Sequence, residues 1–148
     1  MEPLSLTKIS YKNLNARQKE QYLFQKLSAV LSEYGYATMK LIDDWEGADF
    51  IAQHCDGFRF LRVQLKSRFT IDSKYVGKEL YIAFPLNLAT NDWCVFPHDE
   101  IIGLLQAARI YTETESWKRF GAYSVAGVSK QVLELLARYR LTAPQTTV

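Results

Sequence analysis

The 148-residue chain is poor in sulfur and imidazole, with two cysteines, Cys55 and Cys94, and two histidines, His54 and His98. Neither cysteine belongs to a CxxC pair, so a structural zinc site is not expected, and the thiols read as reduced, buried or inert groups of an intracellular protein. Charge of one sign is also scarce. Lys and Arg total 18 against 16 Asp and Glu, and the net +2 is too small to indicate a nucleic-acid partner by itself. Any basic surface must be local. Residues 1–12 lack the apolar core of a signal peptide, and no stretch approaches the ~20 apolar residues of a membrane span. The expected setting is the cytoplasm, without a membrane partner. There is no internal repeat, low-complexity linker, glycine-rich phosphate loop or G-x-S-x-G nucleophile element.

Hydrophobic residues make up 48% of the chain, enough for a core without covalent staples. One domain spanning 1–148 is the simplest organisation, with a core at about 15–96, a helical elaboration at about 97–140 and a frayed tail at 142–148. Tyr22, Leu23, Leu27, Val30 and Leu31 recur at helical spacing and predict a helix over 16–34, capped by Asn13 or Asn15 and stopped by Gly35. A short strand over 36–42 precedes the acidic, loop-like segment 43–47. Next comes a hairpin of strands 49–53 and 58–67 around the turn 54–57. Segments 80–86 and 93–96, separated by Thr90-Asn91-Asp92, predict an antiparallel pair. Pro97 precedes a helix over 101–107, and His98-Asp99-Glu100 reads as the start of that helix rather than a metal cluster. Segment 111–128 is ambiguous, and Ser129 caps a final helix reaching Tyr139. This order predicts an α/β or α+β domain with a mixed central sheet flanked by helices.

The strand ending in Gln64-Leu65-Lys66 carries the chemistry. Residues two apart on a strand share a face, so the Gln64 amide and Lys66 ammonium point together, and Asp49 from Gly47-Ala48-Asp49-Phe50 can complete a pocket. Taken alone, the pair reads as a solvated strand face. Arg59, Arg62, Lys66, Arg68, Lys74 and Lys78 form the densest basic region, interleaved with Phe58, Phe69 and Tyr75. Arg68, Lys74, Tyr75 and Lys78 are its candidate nucleic-acid contacts, placed to neutralise phosphates and make binding salt-dependent. Scattered solvated charges are the competing reading.

With Glu20 on the first helix, Asp49 at the start of the hairpin and Gln64-Leu65-Lys66 closing the next strand, the chain resembles the PD-(D/E)xK nuclease superfamily. This is the fold of many restriction enzymes and archaeal Holliday-junction resolvases, and the resemblance spans about 15–68. It implies a restriction-endonuclease-like core and a metal-dependent endonuclease acting on DNA. The implied catalytic set is Glu20, Asp49, Gln64 and Lys66, with Asp49, Gln64 and Glu20 toward Mg²⁺, or Mn²⁺ as a substitute. Lys66 would position the water, offset phosphate charge or act as a base. One site in a small domain implies a homodimer or a nearby partner for cutting both strands of a duplex.

The family pattern most often has Glu or Asp where this chain has Gln64, although some members carry Gln-x-Lys. A glutamine carbonyl oxygen can ligate a hard cation but brings no charge. That departure motivates the alternative of a catalytically weak or inactive nucleic-acid-binding or assembly module. Pairing around Cys55 places Asp49 opposite about Leu61, leaving Gln64 roughly 10 Å further along at strand rise. A bulge or irregular strand start is therefore required.

Overall fold

The computed structural model describes residues 1–142, the side chain of Asp44 excepted. Helix α1 spans Ala16–Glu33. Its cap is Asn15 rather than Asn13: the Asn15 side chain accepts from Gln18 N–H at 2.9 Å, and Gln18 Oε1 accepts from Asn15 N–H at 3.0 Å. The exchange satisfies two of the donors that a helix start leaves open. Leu23, Leu27, Val30 and Leu31 form the buried stripe. Gly35, with φ +85°, ends the helix and turns the chain into the sheet.

The remaining elements are β1 (Tyr36–Trp45), β2 (Ala48–His54), β3 (Phe60–Leu65), β4 (Phe69–Asp72), β5 (Tyr81–Asn87), β6 (Asp92–Pro97), α2 (His98–Ala108), α3 (Glu115–Phe120), β7 (Ala122–Val125), α4 (Lys130–Leu136) and β8 (Arg140–Thr142). The main sheet has the order β1-β2-β3-β5-β6-β8. Only β3 and β5 pair in parallel; its other contacts are antiparallel. Strands β4 and β7 make a separate antiparallel pair.

Alternation along the central strands divides the core. Phe50, Ala52, Val63, Ala83, Trp93 and Val95 pack with α1, while Ile82, Phe84, Cys94 and Phe96 pack with α2, α4 and β4. A sheet apolar on both faces needs helices on both, and the result is the expected mixed α/β architecture. Burial pushes the Cys94 thiol up to about 12, leaving it inert, and Cys55 is also unpaired. Among the described residues, no helix is long and apolar enough to cross a membrane.

Three local expectations are corrected and one unassigned segment is resolved. The acidic segment after Ile42 is not a loop, because β1 continues to Trp45 and turns through Glu46 and Gly47, whose φ values of 56° and 90° give the left-handed geometry of a tight hairpin. Segment 69–72, to which the sequence assigned no element, is a strand, since Phe69 and Ile71 are buried and its ladder partner lies at Ala122–Val125. The final helix ends earlier than Tyr139, at Leu136, with a 3₁₀ turn at Ala137–Tyr139. Thr142 pairs with Asp92 instead of beginning a frayed tail, and Arg140 Nε donates to the Asp92 carboxylate at 3.1 Å. The rest of that expected tail, 143–148, lies outside the described residues.

Candidate active site

The site begins with the turn between β2 and β3. Asp56 Oδ1 accepts from Phe58 N–H at 2.9 Å and Arg59 N–H at 3.1 Å, and its Oδ2 accepts from Arg59 Nε at 2.7 Å. These bonds, the one from Phe58 foremost, hold the Asp56 carboxyl well below the usual carboxylate range. They also centre the turn later than Cys55. The ladder pairs Phe50 with Val63, Ile51 with Arg62, Ala52 with Leu61 and Gln53 with Phe60. Continued by one residue, it sets Asp49 opposite Gln64 rather than Leu61. The expected gap does not arise.

The expected irregularity lies instead on the other side of Asp49. Lys40 pairs with Phe50 and Trp45 with Ala48, so residues 41–44 of β1 stand against Asp49 alone. This bulge moves β1 away from β2 where Asp49 projects, a common device beside functional sites. Asp49 Oδ2 accepts from Leu65 N–H at 2.7 Å. The carboxylate is thereby fixed at the end of β3, between Gln64 and Lys66.

Asp49, Gln64 and Lys66 line a cleft of about 740 Å³ between the α1 end and the β1 bulge, and Glu20 lines it from the helix. Glu20 lies three residues before buried Leu23, which puts it on the sheet-facing stripe just beyond the core. The same three strand residues also line a smaller hollow of about 320 Å³ with Gly47, Lys74, Tyr75 and Lys78. They stand on the boundary between the two spaces.

Lys66 Nζ lies 5.5 Å and Lys74 Nζ 5.2 Å from the Tyr75 ring centroid. Tyr75 itself is 4% exposed, so its ring supports the two ammonium groups and offers little surface for stacking on a base. Lys74 pairs with Asp72 at 3.8 Å, and Lys78 with Glu46 at 3.9 Å; such long, exposed pairs contribute little and are readily exchanged. Arg68 is placed elsewhere. Its Nε donates to Ser124 Oγ at 2.7 Å, next to the β4–β7 ladder, and it lines neither space.

His98 and Asp99 serve the site indirectly, as supports of the turn that carries Lys74 and Tyr75. His98 Nε2 accepts from Asp72 N–H at 3.2 Å, its Nδ1 lies 3.1 Å from Asp99 Oδ1, and Asp99 Oδ2 accepts from Gly77 N–H at 2.9 Å. A neutral imidazole with its hydrogen on Nδ1 satisfies this arrangement. Burial favours that neutral form and lowers the His98 pKa, although Asp99 opposes the shift. In sequence these residues signal only a helix start.

Sequence reasoning also missed Lys19 and Lys40, both of which line the larger cleft together with Asp43, whose acidic segment the sequence offered as a further cation contact near Asp49 or a solvated turn. Their proximity depends on α1 docking and on the β1 bulge, neither of which leaves a local motif.

The oxygen donors here include the carboxylates of Glu20, Asp43 and Asp49 and the amide oxygen of Gln64, with no thiol or imidazole lining the cleft. Hard oxygen donors fit Mg²⁺ or Mn²⁺ better than zinc. Among the described residues, no group of three His, Cys, Asp or Glu forms a metal cage. A cation here would rely on the Gln64 carbonyl and on water.

The mixed sheet flanked by helices is similar to the restriction-endonuclease-like fold. A bacterial homing endonuclease, I-Ssp6803I, superposes with a TM-score of 0.50 over 85% of this chain and 86% of its own, at 15% identity. Holliday junction resolvase Hjc from Archaeoglobus fulgidus matches 55% of this chain and 74% of its own, at 19% identity and a TM-score of 0.43. No family model matches the sequence, and no curated protein matches it significantly. At these identities the likeness defines the fold, and activity has to be argued from the site.

Proposed function

We propose that the chain is a metal-dependent endonuclease that hydrolyses DNA phosphodiester bonds at the Asp49–Gln64–Lys66 cleft. The observation that carries this reading is the β2–β3 register, which sets Asp49 opposite Gln64 with its carboxylate bonded at Leu65 N–H, beside Lys66. The fold shared with a homing endonuclease supports it.

Asp49, Gln64 Oε1 and Glu20 would hold Mg²⁺, or Mn²⁺ in its place, which when bound supplies charge to the phosphate oxygens and lowers the pKa of its water. Asp49 is the principal anchor, because its orientation is fixed by the β3 backbone. The Lys66 ammonium offsets charge on the phosphate or positions the attacking water. Glu20, facing the strands from α1, binds the cation or orients its water. A homodimer would bring two such clefts to a duplex.

Cleavage of supercoiled, branched and single-stranded DNA in Mg²⁺ or Mn²⁺ tests the reading. Wild type turns over, while Asp49→Ala and Lys66→Ala each lose at least about 100-fold. A wild type without turnover, or variants as active as wild type, rejects it.

The neutral amide of Gln64 favours a second reading, in which the scaffold binds nucleic acid or joins an assembly without cutting. Metal titration separates the two. Wild type that binds DNA yet neither takes up Mn²⁺ nor cuts belongs to the second class.

A further inference from the structure

Resting on the nuclease-like reading of the cleft, we propose that Lys19 and Lys40 form a second phosphate-binding wall, so that the DNA strand is held on both sides of the scissile phosphate. One side is the hollow carrying Lys74 and Lys78; the other is the α1–β1 side of the larger cleft. Asp49, Gln64 and Lys66 line both spaces, and a strand passing over them meets both walls.

The contacts of these two lysines set them apart. Lys19 Nζ lies 5.5 Å from the Tyr11 ring centroid. Lys40 Nζ donates to Gln21 Oε1 at 2.8 Å and lies 5.6 Å from the Phe24 centroid. Among the described residues neither ammonium forms an ion pair, whereas Lys74 and Lys78 each have a carboxylate within 4 Å. Rings and a neutral amide orient an ammonium without cancelling its charge. That charge remains available to a phosphate.

The charge of the cleft points the same way. Glu20, Asp43 and Asp49 line it together with Lys19, Lys40 and Lys66, three carboxylates with three ammonium groups. The pocket is balanced when empty, and a bound dication turns it net positive. Phosphate then meets attraction along the whole cleft.

Lys26 supplies an internal control, since it lies 5.4 Å from the Tyr22 centroid on the same helix but does not line the cleft. The experiment is fluorescence anisotropy with a labelled single-stranded DNA over a KCl series, with Ca²⁺ in place of Mg²⁺ so that the cleft can hold a dication while cleavage is suppressed. Lys19→Gln/Lys40→Gln weakens binding and lowers the slope of log K against log salt by about 0.7 per lysine. Lys26→Gln matches wild type, and Lys19→Arg/Lys40→Arg restores the slope, which excludes a folding defect. An unchanged slope in the double Gln variant, with wild type still binding, overturns the second wall and leaves the nuclease reading intact. Equal loss in Lys26→Gln also overturns it, because charge anywhere on α1 would then suffice. Wild type without salt-dependent binding removes the nuclease reading and this inference together.

Discussion

Gly47 connects the acidic turn to the chemistry at the scale of a single residue. Its φ is +90°, and a Cβ built there would lie 2.8 Å from Leu80 Cδ1 and 3.2 Å from Tyr75 Cδ1. Only glycine meets both conditions without displacement. Gly47→Ala is expected to lose about 1–3 kcal/mol in urea unfolding, the usual range for forced left-handed strain, and to shift the Tyr75 ring on which Lys66 rests; wild-type stability in this variant contradicts the account. Gln64 makes the complementary prediction. Gln64→Glu adds the charge that the site lacks and should tighten Mn²⁺ binding by about tenfold, or roughly 1.4 kcal/mol in a calorimetric titration. Unchanged or weaker binding would mean that Gln64 does not face the cation.

At the scale of elements, α1 and the hairpin were legible because their signals are local. Asn15 and Gln18 form a capping box, Leu23 to Leu31 keep the helical period, and Gly35 has the left-handed conformation that its place after the helix predicts. Asn15→Ala should cost about 1 kcal/mol of unfolding free energy, and no loss would show that the cap bonds are not formed in solution. The hairpin strands were equally visible, but their register was not. It is set by one side chain, Asp56, gathering Phe58 N–H, Arg59 N–H and Arg59 Nε, and a small displacement of the turn centre doubles into the strand partner of Asp49. Strands β4 and β7 escaped notice because four-residue strands whose partners lie some fifty positions away leave almost no periodic trace. Tyr75 was expected at a surface, yet its ring is covered through contacts from His98 and from the Gly47 turn.

The His98 support of the Lys74–Tyr75 turn makes a pH prediction. Its folded pKa lies below the ordinary 6.5, so the unfolded chain takes up protons more readily as pH falls through that value. The stabilisation from neutral His98 is present above about pH 6.5 and is lost progressively below it. Chemical denaturation across pH 5–8 should show wild-type stability declining on the acid side and His98→Gln declining less. Parallel curves for the two proteins contradict the assignment.

Over the whole molecule, the proposed site lies where the two-sided core ends. Helix α1 covers one face of the sheet, α2 and α4 cover the other, and the bulge of β1 opens the main cleft at the margin of the covered region. The core positions the strand ends and leaves their polar groups accessible. The most direct measurement of the central claim is a crystal structure of wild type soaked in Mn²⁺, with anomalous scattering to locate the ion. The account predicts one peak at about 2.1 Å from an Asp49 carboxylate oxygen and the Gln64 carbonyl oxygen, with Glu20 and Lys66 facing it. No peak in the cleft, or an ion bound elsewhere with Asp49 and Lys66 turned apart, contradicts it.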